Sequence, residues 1–415
     1  MTFRKDLSID FCGVHFENPV LLSSSPVSNT AEMVERSFEA GFSGVVFKTM
    51  STGAIKIIHP SPRMAPYHYL DKKLMGLQNV EQISDRSMAD NLADLKYLKK
   101  HWPDKVIISS IMGFTLDEWA ELAKASEDVG ADMLELNFSC PHMTVEGSGM
   151  NVSHAFTLLE QFTEAVKKVV TIPVIAKMTP NITDICEPAL FAKQGGADAI
   201  SAINTVSGIV GIGLEDFTPL PNVFGKGAMS GYSGPAIKPI GLRCVAQLAQ
   251  NNELQLPLSG IGGIETWVDV VEYMLCGAAT VQITTGIIHY GYRIIEDILE
   301  GMSYYLAERN IDSIDQVVGK ALPNLVPTEQ FDLSRQGATL YDLNRCIGCG
   351  QCYIICQDAG GQCLSWDGET RQPVMNESLC VGCLICSFVC PIHSPPLITY
   401  QEIKNKPEIR PPVSQ

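Results

Sequence analysis

The sequence predicts an α/β chain: a (β/α)8 barrel of the TIM type followed by a small cysteine-rich module. Two observations carry the barrel and a third carries the module. Eight short runs of apolar, often β-branched residues recur between positions 19 and 287. They are apolar along their whole length rather than alternating, as parallel strands buried on both faces must be. Nine of the fourteen cysteines fall between positions 346 and 390, where composition changes abruptly.

The candidate strands are "PVLLSSSP" (19–26), "GVVFKTM" (44–50), "KVIISSIMG" (105–113), "MLELNFSC" (133–140), "VIAKMTP" (174–180), "AISAINT" (199–205), "LPLSGIGG" (256–263) and "TVQITTGI" (280–287). Amphipathic stretches such as "LDEWAELAKASEDVG" (116–130) and "WVDVVEYMLCG" (267–277) separate most of them. Eight such repeats fill a barrel; a doubly wound open sheet is the alternative, because it too alternates strand and helix. Residues 51–104 fit the repeat least well and predict an insertion over the active-site face. The expected organisation is a barrel over 1–310, a connector over 311–340, the cysteine module over 341–398 and a polar tail over 399–415.

A chain of 415 residues has room for two domains. Its hydrophobic content of 46% and charged content of 18% are those of a globular protein with a sizeable core. The net charge of −16 argues against nucleic acid or an anionic membrane as partner. No apolar run long enough to span a bilayer occurs. The start "MTFRKDLSID" lacks the apolar core of a signal peptide, which predicts a cytoplasmic protein. In that compartment a dense cysteine cluster points to metal rather than disulfides.

The cluster has a strict pattern. "CIGCGQCYIIC" places Cys346, Cys349, Cys352 and Cys356 at C-x2-C-x2-C-x3-C, and "CVGCLICSFVCP" repeats it at Cys380, Cys383, Cys386 and Cys390. Three thiolates two residues apart wrap one face of a cubane, and the fourth ligates the other cluster. The expected ligand sets are therefore Cys346, Cys349, Cys352 and Cys390 on one [4Fe–4S] cluster, and Cys380, Cys383, Cys386 and Cys356 on the other. Zinc sites pair two CxxC units rather than repeat a quartet. Cys363 falls outside the spacing and is not expected to be a ligand. Gln357 stands where a trailing proline is usual. Two clusters move single electrons, so the chain should hold or dock a group that converts them into two-electron chemistry, for which flavin is the usual choice.

Barrel active sites lie at the C-terminal strand ends. Here those ends carry Ser24, Lys48, Thr49, Asn137, Lys177, Asn204, Thr205, Gly262, Gly263, Thr284 and Thr285. The glycines and threonines after strands 7 and 8, with Gly234 opening a further turn, predict a phosphate-bearing cofactor. One strand-end lysine would be read as snorkelling to solvent; two, Lys48 and Lys177, suggest an anionic group such as reduced flavin. The amides of Asn79, Asn137 and Asn204 suit the alternating C=O and N–H of a cyclic imide. In "LELNFSCPH" (134–142), Cys140 has three readings: a buried hydrophobe, a metal ligand or an acid–base group. A thiol in an apolar site keeps its proton and so can give it. Cys12, Cys186, Cys244 and Cys276 read as buried hydrophobes.

Together the motifs "LQNVEQIS" (77–84), "LELNFSCPH" (134–142), "AKMTPNITDI" (176–185), "AINTVSG" (202–208), "SGIGGIETW" (259–267), "YLAERNI" (305–311) and the two quartets give the chain an end-to-end resemblance to dihydropyrimidine dehydrogenases, of the bacterial flavin and iron–sulfur subunit type. The resemblance implies a dihydroorotate-dehydrogenase-like barrel that binds FMN, fused to a two-[4Fe–4S] ferredoxin-like domain. It implies a partner subunit of the PreT type carrying FAD and the NAD(P)H site, in an A2B2 heterotetramer. By resemblance Asn79, Asn137, Asn204 and Thr205 hydrogen-bond the pyrimidine, with Ser139 and His142 beside it. Cys140 is the acid that protonates C5, and Lys48 and Lys177 contact the flavin. The loop after Cys140, "MTVEGSGMNVSHAF", departs from the animal enzymes. The expected reaction is reversible reduction of the 5,6 double bond of uracil or thymine. The rivals are a dihydroorotate dehydrogenase and an electron-carrier subunit with a non-catalytic barrel.

Overall fold

The computed structural model describes residues 5–69, 73–138, 156–333, 336–339, 341–392 and 398–401. Two compact units divide the chain, Met1–Asn324 and Leu325–Gln415.

The first unit is a closed barrel of eight parallel strands: β1 Val20–Leu22, β2 Gly44–Val46, β3 Val106–Ile111, β4 Met133–Asn137, β5 Val174–Met178, β6 Ala199–Ala202, β7 Leu258–Ile261 and β8 Ala278–Ile283. Each strand pairs with the next in sequence, and β8 closes on β1. All eight coincide with the apolar runs of the sequence. Outside them pack α1 Ala31–Ala40, α2 Met88–His101, α3 Leu116–Asp128, α4 Phe156–Lys167, α5 Cys186–Gln194, α6 Lys238–Gln250, α7 Trp267–Leu275 and α8 Ile294–Glu308. A hairpin, Ile9–Phe11 with Val14–Phe16, buries Phe11 and Phe16 at the N-terminal end of the barrel. There the Cys12 thiol donates to the carbonyl of Asp198, just ahead of β6.

Local chemistry fixes where the helices begin. Thr115 caps α3 by accepting from Glu118 N, while the Glu118 carboxylate accepts from Thr115 N. Such reciprocal caps contribute about 1 kcal/mol. The same carboxylate accepts from Thr52, tying the chain after β2 to α3. Trp119, one turn in, is fully buried against Phe138 and Phe162. Phe138 follows β4 directly, so this aromatic contact holds the strand end that leads towards Cys140.

The predicted insertion supplies a hairpin, Met64–Tyr69 with Lys73–Asn79. It joins Val206–Gly208 and Ser230–Ser233 in a four-stranded sheet. Gln78 locks that sheet: its buried amide donates to the carbonyls of Gly208 and Ala228 and to the Ser230 hydroxyl, and accepts from Val210 N. Beyond α8, residues 311–324 return to the barrel, where Gly319 N and Ala321 N donate to the carbonyls of Met274 and Leu275 at the end of α7.

The second unit holds α9 Gln351–Ala359, the antiparallel pair β9 Leu364–Asp367 and β10 Gln372–Met375, and a single turn, α10 Ile385–Phe388. No helix among the described residues is long and apolar enough to cross a membrane.

Candidate active site and cysteine cavities

One cavity, open at its mouth, sits at the C-terminal ends of the barrel strands. Ser24, Lys48, Thr49, Asn137, Lys177, Asn204 and Thr205 line it from the strand ends. Gly234, Gly262, Gly263, Thr284 and Thr285 line it from the turns, and Asn79 from the insertion hairpin. Ser139, Cys140 and His142 lie outside the described residues.

A chain of hydroxyls and amides fixes one wall. Thr49 N donates to Ser24 Oγ at 3.0 Å, Asn137 Nδ2 donates to Thr49 Oγ1 at 3.0 Å, and that hydroxyl also meets Ser110 Oγ at 2.8 Å. On the opposite side Asn79 Nδ2 donates to the Gly231 carbonyl at 3.1 Å, and Asn181 Nδ2 to the Thr205 carbonyl at 3.1 Å.

Both strand-end lysines are buried and both are paired. Lys48 Nζ donates to the Glu81 carboxylate, which also receives Arg63 at 3.2 Å. Burial pulls the Lys48 ammonium below the usual lysine pKa, against the opposing charge and hydrogen bond of Glu81. Lys177 Nζ donates to Glu135 Oε1 at 3.1 Å. Glu135 Oε2 accepts from Ser201 Oγ and from Gln282 Nε2, both at 2.9 Å, and Gln282 accepts from Ser23. The interior beneath the cavity is thus a satisfied polar hub rather than stacked aliphatic layers.

The turn after β7 supplies bare backbone. Gly263 has φ +70°, and a Cβ there would come within 2.7 Å of the Gly234 carbonyl oxygen. Gly262 has φ +128°, and its carbonyl accepts from the buried Tyr273 hydroxyl at 2.7 Å. Tyr273 fits only because residue 241 is glycine, where a Cβ would meet its hydroxyl at 1.9 Å. Across the cavity mouth, Thr285 Oγ1 meets Ser233 Oγ at 2.9 Å. Two lysines held by carboxylates, a row of hydroxyls and the glycine turn at 262–263 fit a phosphate-bearing flavin.

Sequence reasoning missed Glu81, Glu135, Gln282 and Tyr273. A signal existed for Glu135, a carboxylate inside the apolar run "LELN", and for Gln282 in "TVQITTG". Glu81 stands in "LQNVEQIS", where nothing in the spacing marks it as the partner of Lys48.

The second unit has two cysteine-lined cavities. Cys346, Cys349, Cys352 and Cys390 line one. Cys356, Cys380, Cys383 and Cys386 line the other, together with Cys363. The fourth cysteine of each quartet thus faces the cavity of the other quartet. Left-handed glycines at 348, 350 and 382 shape the loops, and Gly348 N donates to Cys346 Sγ at 3.4 Å. The donor sets fit iron–sulfur ligation.

A parallel barrel whose mouth carries paired lysines, amides and a glycine turn, followed by a cysteine dicluster module, defines a flavin- and iron–sulfur-dependent oxidoreductase. Residues 6–306 match the dihydroorotate dehydrogenase family model, and residues 340–395 match the 4Fe-4S dicluster domain. The chain is 50% identical over 389 residues, 94% of each chain, to the NAD-dependent dihydropyrimidine dehydrogenase subunit PreA of Escherichia coli strain K12. It is 36% identical to the chloroplastic dihydropyrimidine dehydrogenase (NADP(+)) of Arabidopsis thaliana, over 76% of this chain and 77% of that one. It is 40% identical to the catalytic subunit of dihydroorotate dehydrogenase B (NAD(+)) of Pyrococcus abyssi, over 76% of this chain and 99% of that one. The chain belongs to the dihydroorotate dehydrogenase family, and within it to the dihydropyrimidine dehydrogenase subunits.

Proposed function

We propose that this chain is the catalytic subunit of an NAD(P)H-dependent dihydropyrimidine dehydrogenase that reversibly reduces the 5,6 double bond of uracil or thymine. The observation that carries the reading is the convergence of Asn79, Asn137 and Asn204 on the cavity that also holds Lys48 and Lys177. Three amides offer donors and acceptors to a cyclic imide, while the lysines, each held by a carboxylate, offer N–H donors to the cofactor. The Escherichia coli relative, 50% identical, supports the substrate class by its name.

Under this reading residues 1–310 bind FMN and the pyrimidine, and residues 341–398 bind two [4Fe–4S] clusters, with 311–340 between them and 399–415 as a tail. When bound, the flavin supplies hydride to C6 of the pyrimidine and is recharged through the clusters. A partner subunit of the PreT type carries FAD and the NAD(P)H site, in an A2B2 assembly in the cytoplasm. Asn79, Asn137, Asn204 and Thr205 hold the ring, with Ser139 and His142 beside it; orientation of this kind is worth several kcal/mol. Lys177 and Lys48 counter negative charge beside the ring. The Cys140 thiol gives its proton to C5, a step whose loss costs roughly 10²–10⁴-fold.

The test is anaerobic. The chain is purified with its cofactors, photoreduced and mixed with uracil, in wild type and in Cys140→Ala. Rapid flavin reoxidation with dihydrouracil formed, lost in the variant, is the expected result. Reoxidation by orotate but not uracil would move the chain to the dihydroorotate branch. A Cys140→Ala variant as fast as wild type would leave Cys140 a structural residue.

A further inference from the structure

Five cysteines, rather than four, surround the cavity that Cys380, Cys383 and Cys386 begin. The fifth, Cys363, is only 8% exposed, and its sulfur lies 3.6 Å from Cys356 Sγ. Its position is built by the backbone. The amides of Gly360 and Gln362 both donate to the Cys356 carbonyl, which curls the chain back over the end of α9. Gln362 adopts the left-handed region at φ 53°, uncommon for a residue with a side chain. Asn376 N then donates to the Cys363 carbonyl at 2.8 Å, anchoring the residue to the chain beyond β10. No fifth cysteine stands among the described residues lining the other cavity.

A cubane takes four thiolates, and Cys356 completes the set. We propose that Cys363 is a positioning residue of this cluster: its S–H donates to the Cys356 ligand sulfur and holds the cluster's reduction potential above the value that its four ligands alone would give. Reduction adds negative charge to the cluster, and a donor aimed at a ligand sulfur favours the more negative form. The two clusters are thereby made unequal, which orders them along an electron path. The inference rests on the two-cluster reading above.

The experiment uses the whole chain, purified anaerobically as wild type, Cys363→Ala and Cys363→Ser. Iron and sulfide are counted first, and each cluster's midpoint is then read by EPR-monitored potentiometry. The expected result is a full complement in all three, with one midpoint moved negative in Cys363→Ala and the other unmoved. Cys363→Ser, which keeps a donor, stays nearer to wild type. Intact clusters with both midpoints unmoved in the alanine variant overturn the inference. Loss of a cluster in both variants also overturns it, because Cys363 would then be a ligand. A wild-type chain without two clusters fails the two-cluster reading itself, and this inference with it.

Discussion

Lys177 and Glu135 form an ion pair inside the barrel, 3.1 Å apart, with 5% and 0% of their side chains exposed. The register explains the contact. Lys177 of β5 lies beside Asn137 of β4, and Glu135 stands two residues before Asn137 on the same inward face. The carboxylate is further satisfied by Ser201 and Gln282, so each half of the pair depends on the other for its charge to be tolerated.

Breaking such a pair leaves an uncompensated buried charge, at a cost of about 3–5 kcal/mol. Glu135→Leu and Lys177→Met should each lower stability by that order in urea unfolding. The double variant should recover much of the loss, because no charge is left stranded, giving a strongly non-additive cycle. Additive losses would show that the pair is not coupled.

Gly263 is the point where the turn after β7 meets Gly234. A Cβ there meets backbone at 2.7 Å and 3.0 Å, and φ +70° costs a further 1–2 kcal/mol or so in a residue with a side chain. Gly263→Ala should therefore purify with much less flavin. Gly13→Ala is the control: φ +78° but nothing within 4 Å, in the hairpin at the other end of the barrel. It should lose a little stability and keep its flavin. Equal flavin loss in both would sink the link between Gly263 and the cofactor.

The barrel was legible because parallel strands covered on both faces must be apolar throughout, and "KVIISSIMG" or "TVQITTGI" permits little else. The cavity residues at strand ends were legible for the same reason: the apolar run stops where the strand stops, and polar groups begin there. What the sequence hid is pairing across distance. Lys48 and Glu81 are 33 positions apart, and their contact depends on how the insertion hairpin lies over β2. Glu135 and Gln282 are 147 positions apart and meet only because the barrel closes. Ligand spacing counted along the chain leaves Cys363 out, whereas the turn at 360–362 brings it back to Cys356.

Glu127 gives the fold a defined acid sensitivity. Its carboxylate accepts from Thr171 N and Thr171 Oγ1, both at 2.7 Å, and from Ile172 N, holding the segment that enters β5 to the end of α3. The Thr171 amide is the main cause that brings its pKa from 4.5 down to about 2, against burial, with the Thr171 hydroxyl and Lys124 assisting. A depressed carboxyl stabilises the fold above its unfolded pKa and loses that contribution as pH falls through its folded one. Glu127→Gln should therefore cost on the order of 1–2 kcal/mol at pH 7. The gap between wild type and variant in urea unfolding should close as pH falls from 4.5 towards 2. A gap that stays constant over that window would show that the contribution is not ionic.

The two cysteine cavities make a prediction that separates crossed from sequential ligation. Cys390 lines the cavity of Cys346, Cys349 and Cys352, although in sequence it closes the quartet that begins at Cys380. If ligation follows the cavities, Cys390→Ala and Cys346→Ala remove the same cluster, and Cys380→Ala removes the other. Iron content should fall by about half in each, since each cubane needs all four thiolates. The surviving EPR signal should be shared by the first two variants and differ in the third. If ligation instead followed chain order, Cys390→Ala and Cys380→Ala would leave the same signal. The crossed pattern has a physical basis in the fold. In each quartet the fourth thiol comes four positions after the third, Cys356 within Gln351–Ala359 and Cys390 just past Ile385–Phe388, so it leaves the loop that wraps the first cavity and faces the second.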